Sequence, residues 1–221
     1  MSNSPILKSS IAKKIAMALS GLFLVTFLTI HFFINLISVF NEDLFNTLAH
    51  FMGNNPLIQF AMQPVLILGV LFHFIMGFVL DFKNRASRPI GYAKYNGAAN
   101  ASWPSRNMII SGIVVLSFLG LHFYDFWIPE MVYKYVEVKP IASERYFHEL
   151  VVKFNSPLRT AIYCMSFFFL FLHLWHGFNS SFQSVGLNNK YSKTLHKVGY
   201  AFAVIVPFGF IFIALFHHFN H

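Results

Sequence analysis

The stretch VLILGVLFHFIMGFVLDF, residues 65–82, is apolar throughout except for His73 at its middle and Asp81 near its close. A helix needs about 20 such residues to cross a hydrocarbon layer of ~30 Å. This stretch and the residues before it, from Pro56, therefore read as one membrane span. The histidine is the informative residue. An ionisable side chain in hydrocarbon is costly to place and by default marks a functional position. Gly69 and Gly77 stand four residues before and after His73, which leaves one stripe of the helix bare around the imidazole. Glycine in membrane helices also serves close helix packing, and both uses stay open at this point.

Three more histidines lie singly in apolar stretches: His31, His122 and His173. Gly177 follows His173 by four residues, and Asn35 follows His31 by four. Five spans are expected, approximately Ile11–Phe40, Pro56–Phe82, Arg106–Ile128, Pro157–Phe182 and Lys193–Phe219. Composition agrees, with 56% of the 221 residues hydrophobic, 11% charged and 29 phenylalanines, far from a soluble average. The expected fold is an all-α integral membrane protein, a single transmembrane domain over residues 1–221. Four of the helices are expected to bundle around the histidines, with a fifth packed beside them. No soluble second domain, internal repeat or low-complexity tract is read from the chain. The connection Lys83–Ser105 is polar, and Pro129–Ser156 carries charge of both signs and includes a short surface helix. The single cysteine, Cys164, excludes an internal disulfide, an iron–sulfur cluster and covalent haem attachment. No small-residue cleavage site follows the basic start, so the first span reads as a retained helix.

Charge orients the chain. Five spans put the termini on opposite sides. One side gathers Lys8, Lys13, Lys14, Lys83, Arg85, Arg88, Lys94, Arg106, Lys190, Lys193 and Lys197 against the single acid Asp81. The other side mixes Lys134, Lys139, Arg145, Lys153 and Arg159 with Glu42, Asp43, Asp125, Glu130, Glu137, Glu144 and Glu149. The positive-inside rule then places the N-terminus in the cytoplasm. The net charge of +8 belongs to that inner face, where it suits anionic lipid or a docked partner rather than nucleic acid.

The rise of a helix converts sequence into depth. At ~1.5 Å per residue, His31 and His122 lie roughly 25 Å from the inner surface, counted from Lys14 and Arg106. His73 and His173 lie roughly 15 Å from it, counted back from Lys83 and Gln183. The odd helices thus pair at one level and the even helices at another, about 10 Å apart by that reckoning. Neutral imidazole is a good axial ligand for haem iron. Two such ligands fill both axial positions and leave none for oxygen or substrate. The expectation is two haem b groups that carry electrons, an outer one on His31 and His122 and an inner one on His73 and His173. These four histidines are the expected ligands of the haem iron, and Gly69, Gly77 and Gly177 are expected to give the porphyrins room.

The constellation resembles a known family: the cytochrome b membrane anchor of succinate dehydrogenase and fumarate reductase, respiratory complex II, in its single-chain, five-helix, dihaem form. The carriers are Lys14 with Ser20-Gly21-Leu22, His31, His73-x3-Gly77, His122, and the segment from His173 to Gly186 that reads HLWHGFNSSFQSVG. The resemblance covers nearly the whole chain. It implies one ligand from each of the first four helices, first paired with third and second with fourth. On the fourth helix His173 and His176 compete, and the family's His-x3-Gly pattern selects His173. The resemblance also implies the partners: a cytoplasmic flavoprotein with covalent FAD that oxidises succinate, and an iron–sulfur protein that passes electrons to this subunit. FAD and the clusters reside only in those partners.

The expected activity is an electron relay across a bacterial cytoplasmic membrane, from the inner haem to the outer haem to a quinone, menaquinone above all, near the outer surface. The reverse direction uses the same parts. Quinone reduction takes up protons, so Asp125, three residues beyond His122, and Glu42, just past the first span, are candidate proton donors. Ordinary interfacial carboxylates would look the same. Arg85, Arg88, Arg106 and Lys193 could meet the inner haem propionates. The nearest alternative is the cytochrome b subunit of a hydrogenase or formate dehydrogenase. A different class is a haem-free transporter that couples protons through its histidines. His173-x2-His176 with His217 and His218 faintly resembles di-iron desaturase boxes, but those residues fall near opposite membrane sides.

Overall fold

Long apolar runs with few breakers give long helices, and the computed structural model bears this out. It describes residues 9–87, 106–140, 142–187 and 190–221. Among these, all regular structure is helical and no strand occurs. Five helices are long and apolar enough to cross a membrane: α1 (Ser10–Ile37), α3 (Ile58–Ala86), α4 (Met108–Val136), α6 (Pro157–Ser184) and α7 (Ser192–Asn220). Two short helices join them at one end, α2 (Glu42–Asn54) between α1 and α3, and α5 (Arg145–Phe154) between α4 and α6. Lys8, Arg88, Lys94 and most of the 83–105 connection lie outside the described residues.

The helix ends have local causes. Ser9 caps α1 by accepting from the Ala12 N–H, and Ser156 caps α6 by accepting from the Arg159 N–H, with Pro157 in the first turn. The first span stops at Ile37, short of Phe40, because the Ser38 hydroxyl donates to Asn35 O and Asn41 then caps α2. Glu42 and Asp43 occupy the first turn of α2, where carboxylates suit the positive end of the helix. The third span runs to Val136, past Ile128, where the sequence puts its approximate end. A π-helical turn over Phe123–Trp127 precedes Pro129, with the Ile128 N–H reaching back to Phe123 O. That wider turn shifts the carbonyl the proline ring would otherwise strike.

Aromatic rings fill the space between helices near the α2–α5 end. Phe32, Phe147, Phe154, Tyr163, Phe167 and Phe210 form one buried cluster. The exposed rows on the spanning helices, such as Val65, Leu68, Phe72 and Ile75 on α3, are apolar, as a lipid-facing surface requires. The surface helix expected between the third and fourth spans is α5. It joins α2 in covering this end, where Asn46 Oδ1 accepts from the Phe147 N–H at 2.9 Å. Glu130 at the end of α4 takes Arg145, Lys134 and the Tyr146 hydroxyl, and Arg145 reaches Glu149 as well. Burial, reinforced by the Glu130 bond, pushes the Tyr146 hydroxyl well above its ordinary range.

The fifth spanning helix, α7, lies against α6 and α1. Its seat on α6 uses Trp175 against Tyr200, with ring centroids 4.5 Å apart, and Asn179 Oδ1 at 2.8 Å from His196 Nδ1. Its seat on α1 is Gly209, where an added Cβ would collide with the Phe32 ring. Gly209→Ala is therefore expected to lower stability by about 1–3 kcal/mol through overpacking. Gly120→Ala is expected to be neutral, because a Cβ there meets nothing within 4 Å. Thermal unfolding of the two purified variants in one detergent checks the contrast.

Candidate functional site

The four histidines meet as two couples. His31 on α1 faces His122 on α4, with ring centroids 5.8 Å apart and the planes at 84°. His73 on α3 faces His173 on α6 at 6.4 Å and 71°. Odd helix meets odd and even meets even, as the depths of the residues require. Phe27 stacks on His31 at 5.4 Å, and Phe118 stands 5.8 Å from His122. In both cases the phenylalanine is one turn before the histidine, so a helix places the two rings over one another. Phe210 of α7 also touches His31, at 5.8 Å. The fifth helix thus walls one couple without adding a histidine to it.

The surroundings of the couples differ. Ser20 Oγ lies 3.0 Å from His73 Nδ1, and Ser111 Oγ lies 3.3 Å from His173 Nδ1. Each hydroxyl donates its proton to the carbonyl three residues earlier, Ser20 to Met17 O at 2.8 Å and Ser111 to Met108 O at 2.9 Å. A hydroxyl has one proton to give. With that proton on the carbonyl, each serine oxygen is placed to accept from its histidine, an arrangement that has the ring proton on Nδ1 and the lone pair on Nε2. At the other couple His122 Nδ1 has no hydrogen-bond partner among the described residues. The Asn35 amide stands 3.4–3.5 Å from the ring nitrogens of His31 while donating to His31 O at 2.8 Å.

The glycines next to the imidazoles are not the ones the spacing singled out. A Cβ at Gly21 would lie 3.3 Å from His73 Cε1, and one at Gly112 would lie 3.6 Å from His173 Cε1. Gly69 faces the Phe23 ring at 2.8 Å by the same measure. Gly77 faces Met17 at 3.6 Å and Gly177 faces Met108 at 2.8 Å. In the structure these three glycines receive side chains from α1 and α4, the packing use of small residues.

These contacts expose a repeat that the sequence reading did not see. Residues 17–33 and 108–124 share the pattern Met-x2-Ser-Gly-x5-Phe-x3-His, with seven of 17 positions identical. Each copy opens a unit of spanning helix, short helix, spanning helix: α1–α2–α3, then α4–α5–α6. The contacts repeat with it. Met17 meets Gly77 as Met108 meets Gly177, and Ser20 meets His73 as Ser111 meets His173. Each histidine couple joins one unit to the other at equivalent positions. Eleven residues separate Ser20 from His31, so on that helix the two couples stand about 16 Å apart. This exceeds the ~10 Å reckoned from basic residues. The reason is that Lys14 is six residues from Ser20 whereas Lys83 is ten from His73, so the two lysines do not mark the same level.

Asp125 lies in the π-helical turn directly after His122 and its side chain is wholly buried. It is not an interfacial carboxylate in water. Tyr163 Oη donates to Oδ2 at 2.9 Å, while Arg159 and Lys153 approach Oδ1 at 3.3 and 3.7 Å. Tyr163 in turn stands 6.4 Å from His122, ring to ring. Tyr163, Arg159 and Lys153 had no sequence signal, since they come from other helices. Glu42 is exposed at the head of α2, on a surface cleft of about 590 Å³ shared with Ser143, Glu144, Arg145 and His148. It is not brought to the histidines.

Among the described residues, no group of three or more His, Cys, Asp or Glu side chains could hold a bare metal ion. Two nitrogens alone do not make a metal cage, but they suffice for an iron whose other four ligands come from a porphyrin. Metal–imidazole bonds of about 2 Å on opposite sides of one iron put ring centroids about 6 Å apart. Both couples are compatible with that spacing, and at one of them a serine oxygen stands beside Nδ1 of each ring. The chain matches no protein-family model, no curated protein and no solved structure.

Proposed function

We propose that this chain is a dihaem cytochrome b, the membrane anchor of a succinate:quinone oxidoreductase in a bacterial cytoplasmic membrane. The observation that carries the reading is the meeting of four intramembrane histidines as two facing couples, each at the spacing of an axial pair. Haem b, when bound, supplies one-electron redox chemistry at each level. His73 with His173, and His31 with His122, would hold the two haems, and with both imidazoles of a couple engaged the chemistry supplied would be electron transfer rather than oxygen chemistry. The aromatic shell of Phe27, Phe118, Phe210 and Tyr163 keeps water from the second couple. The N-terminal, basic end faces the cytoplasm and docks the iron–sulfur and flavoprotein subunits. Quinone, of the menaquinone type, is reduced near the end covered by α2 and α5.

The test is a reduced-minus-oxidised spectrum of the purified chain with a haem-to-protein ratio. Two b-type haems per chain are expected, with a flavoprotein and an iron–sulfur protein co-purifying from the native membrane. A colourless protein overturns the haem and leaves a proton-coupled transporter. Two haems with a hydrogenase or formate dehydrogenase as companion overturn the assignment to complex II.

A further inference from the structure

We infer that Ser20 and Ser111 are positioning residues that fix the tautomer of His73 and His173, and so tune the metalloporphyrin this couple holds. The inference rests on the haem reading above, but its observations are separate. Each serine hydroxyl spends its proton on a backbone carbonyl, at Met17 and Met108. Each serine oxygen then stands as an acceptor, at 3.0 and 3.3 Å from Nδ1 of the facing histidine. The glycine that follows each serine, Gly21 or Gly112, lets the imidazole lie close to the helix. One five-residue device, Met-x2-Ser-Gly, occurs twice and makes the same contact twice. A chance hydroxyl contact would have no reason to recur at the equivalent place in the second unit.

The chemistry follows from the donor set. An axial imidazole that gives its Nδ1 proton to an oxygen is held in one orientation and becomes the more basic ligand at Nε2. A more basic ligand favours ferric over ferrous iron. The other couple has no such serine, and His122 Nδ1 is without a partner among the described residues. The two sites thus differ in their ring environments although their ligands are the same.

The placement makes the test sharp. Ser20 shares a helix with His31, and Ser111 with His122, yet each serine serves the other couple. Ser20→Ala and Ser111→Ala are compared with the unaltered chain by haem content and by redox titration followed optically. Both are expected to shift upward the midpoint of one component, the one that disappears in His73→Ala. Retention of that haem is expected to weaken about 10- to 100-fold, as for loss of an outer-shell partner. Ser20→Thr, which keeps the hydroxyl, is expected to restore the midpoint. Ser117→Ala, exposed on α4 with its hydroxyl on Ile113 O, is expected to change neither component. Two haems with unmoved midpoints in both alanine variants overturn the inference and leave the haem reading intact. A shift confined to the component lost in His31→Ala overturns it equally. An unaltered chain without haem overturns the reading beneath it.

Discussion

Single alanine replacements of the four central histidines are expected to fall into two classes, not four. His31→Ala and His122→Ala lose one haem, and His73→Ala and His173→Ala lose the other. In the proposed function each couple holds one haem, so removing either ring leaves that porphyrin tied at one end. Within a class the effects are not additive: His31→Ala with His122→Ala is expected to retain one haem, the same count as either single variant. The combination of His31→Ala with His73→Ala is expected to retain none. Haem-to-protein ratios and the surviving redox component check all of these in one series. Neighbouring helices in sequence offer a rival pairing, His31 with His73, which predicts a colour-bearing double variant. His176→Ala belongs to the same series. His173, not His176, makes the ring contact with His73, so the His176 variant is expected to keep both haems.

The pairing of the rings was legible because a fixed helix rise sorts the histidines into two levels, although the basic boundaries misjudge the distance between those levels. The spans themselves were legible because a run of about 20 apolar residues survives small errors at either end. The ends were not. Whether α4 stops at Pro129 depends on a π-helical turn whose hydrogen bonds no residue type announces. The α2 helix, 13 residues long and amphipathic, was not read from the sequence, which placed only a connection between the first two spans. Ser20 and Ser111 were hidden by distance, their histidines being 53 and 62 residues away. Serine is ordinary in membrane helices, where its hydroxyl satisfies itself on its own backbone. Only the recurrence of Met-x2-Ser-Gly-x5-Phe-x3-His would have drawn attention to them, and that comparison of the first span with the third needs no structure. The partners of Asp125 were not legible by any local rule, because Lys153, Arg159 and Tyr163 reach it from α5 and α6.

Asp125→Ala is expected to destabilise the protein by about 3 kcal/mol, the cost of removing one member of a buried charge pair. The variant would leave the Tyr163 hydroxyl, buried with 2% exposure, without an acceptor. It would also leave Arg159 and Lys153 facing each other with no anion between them. Tyr163→Phe removes one hydrogen bond to a charged group and is expected to cost about 2 kcal/mol. Together the two changes should cost less than their sum, since the bond they share can be lost only once. Thermal unfolding of the three variants in detergent measures the cycle. The result bears on function through position. Asp125 lies in the turn that follows His122, and Tyr163 packs against that ring, so a loosened cluster should weaken the haem proposed for His31 and His122 before the one proposed for His73 and His173. Asp125→Asn separates this from proton delivery. The amide keeps an acceptor for Tyr163 and removes the exchangeable proton. If it lowers quinone reduction while both haems and the unfolding temperature stay put, Asp125 donates protons. If it lowers stability and haem retention together, with turnover per remaining haem unchanged, the carboxylate is the strut that holds α4, α5 and α6 around the second couple. The tyrosine hydrogen bond at Oδ2 and the two cations that approach Oδ1 at 3.3 and 3.7 Å favour the strut, because these partners belong to the fold and no substrate has to displace them, although Oδ1 itself accepts no hydrogen bond among the described residues.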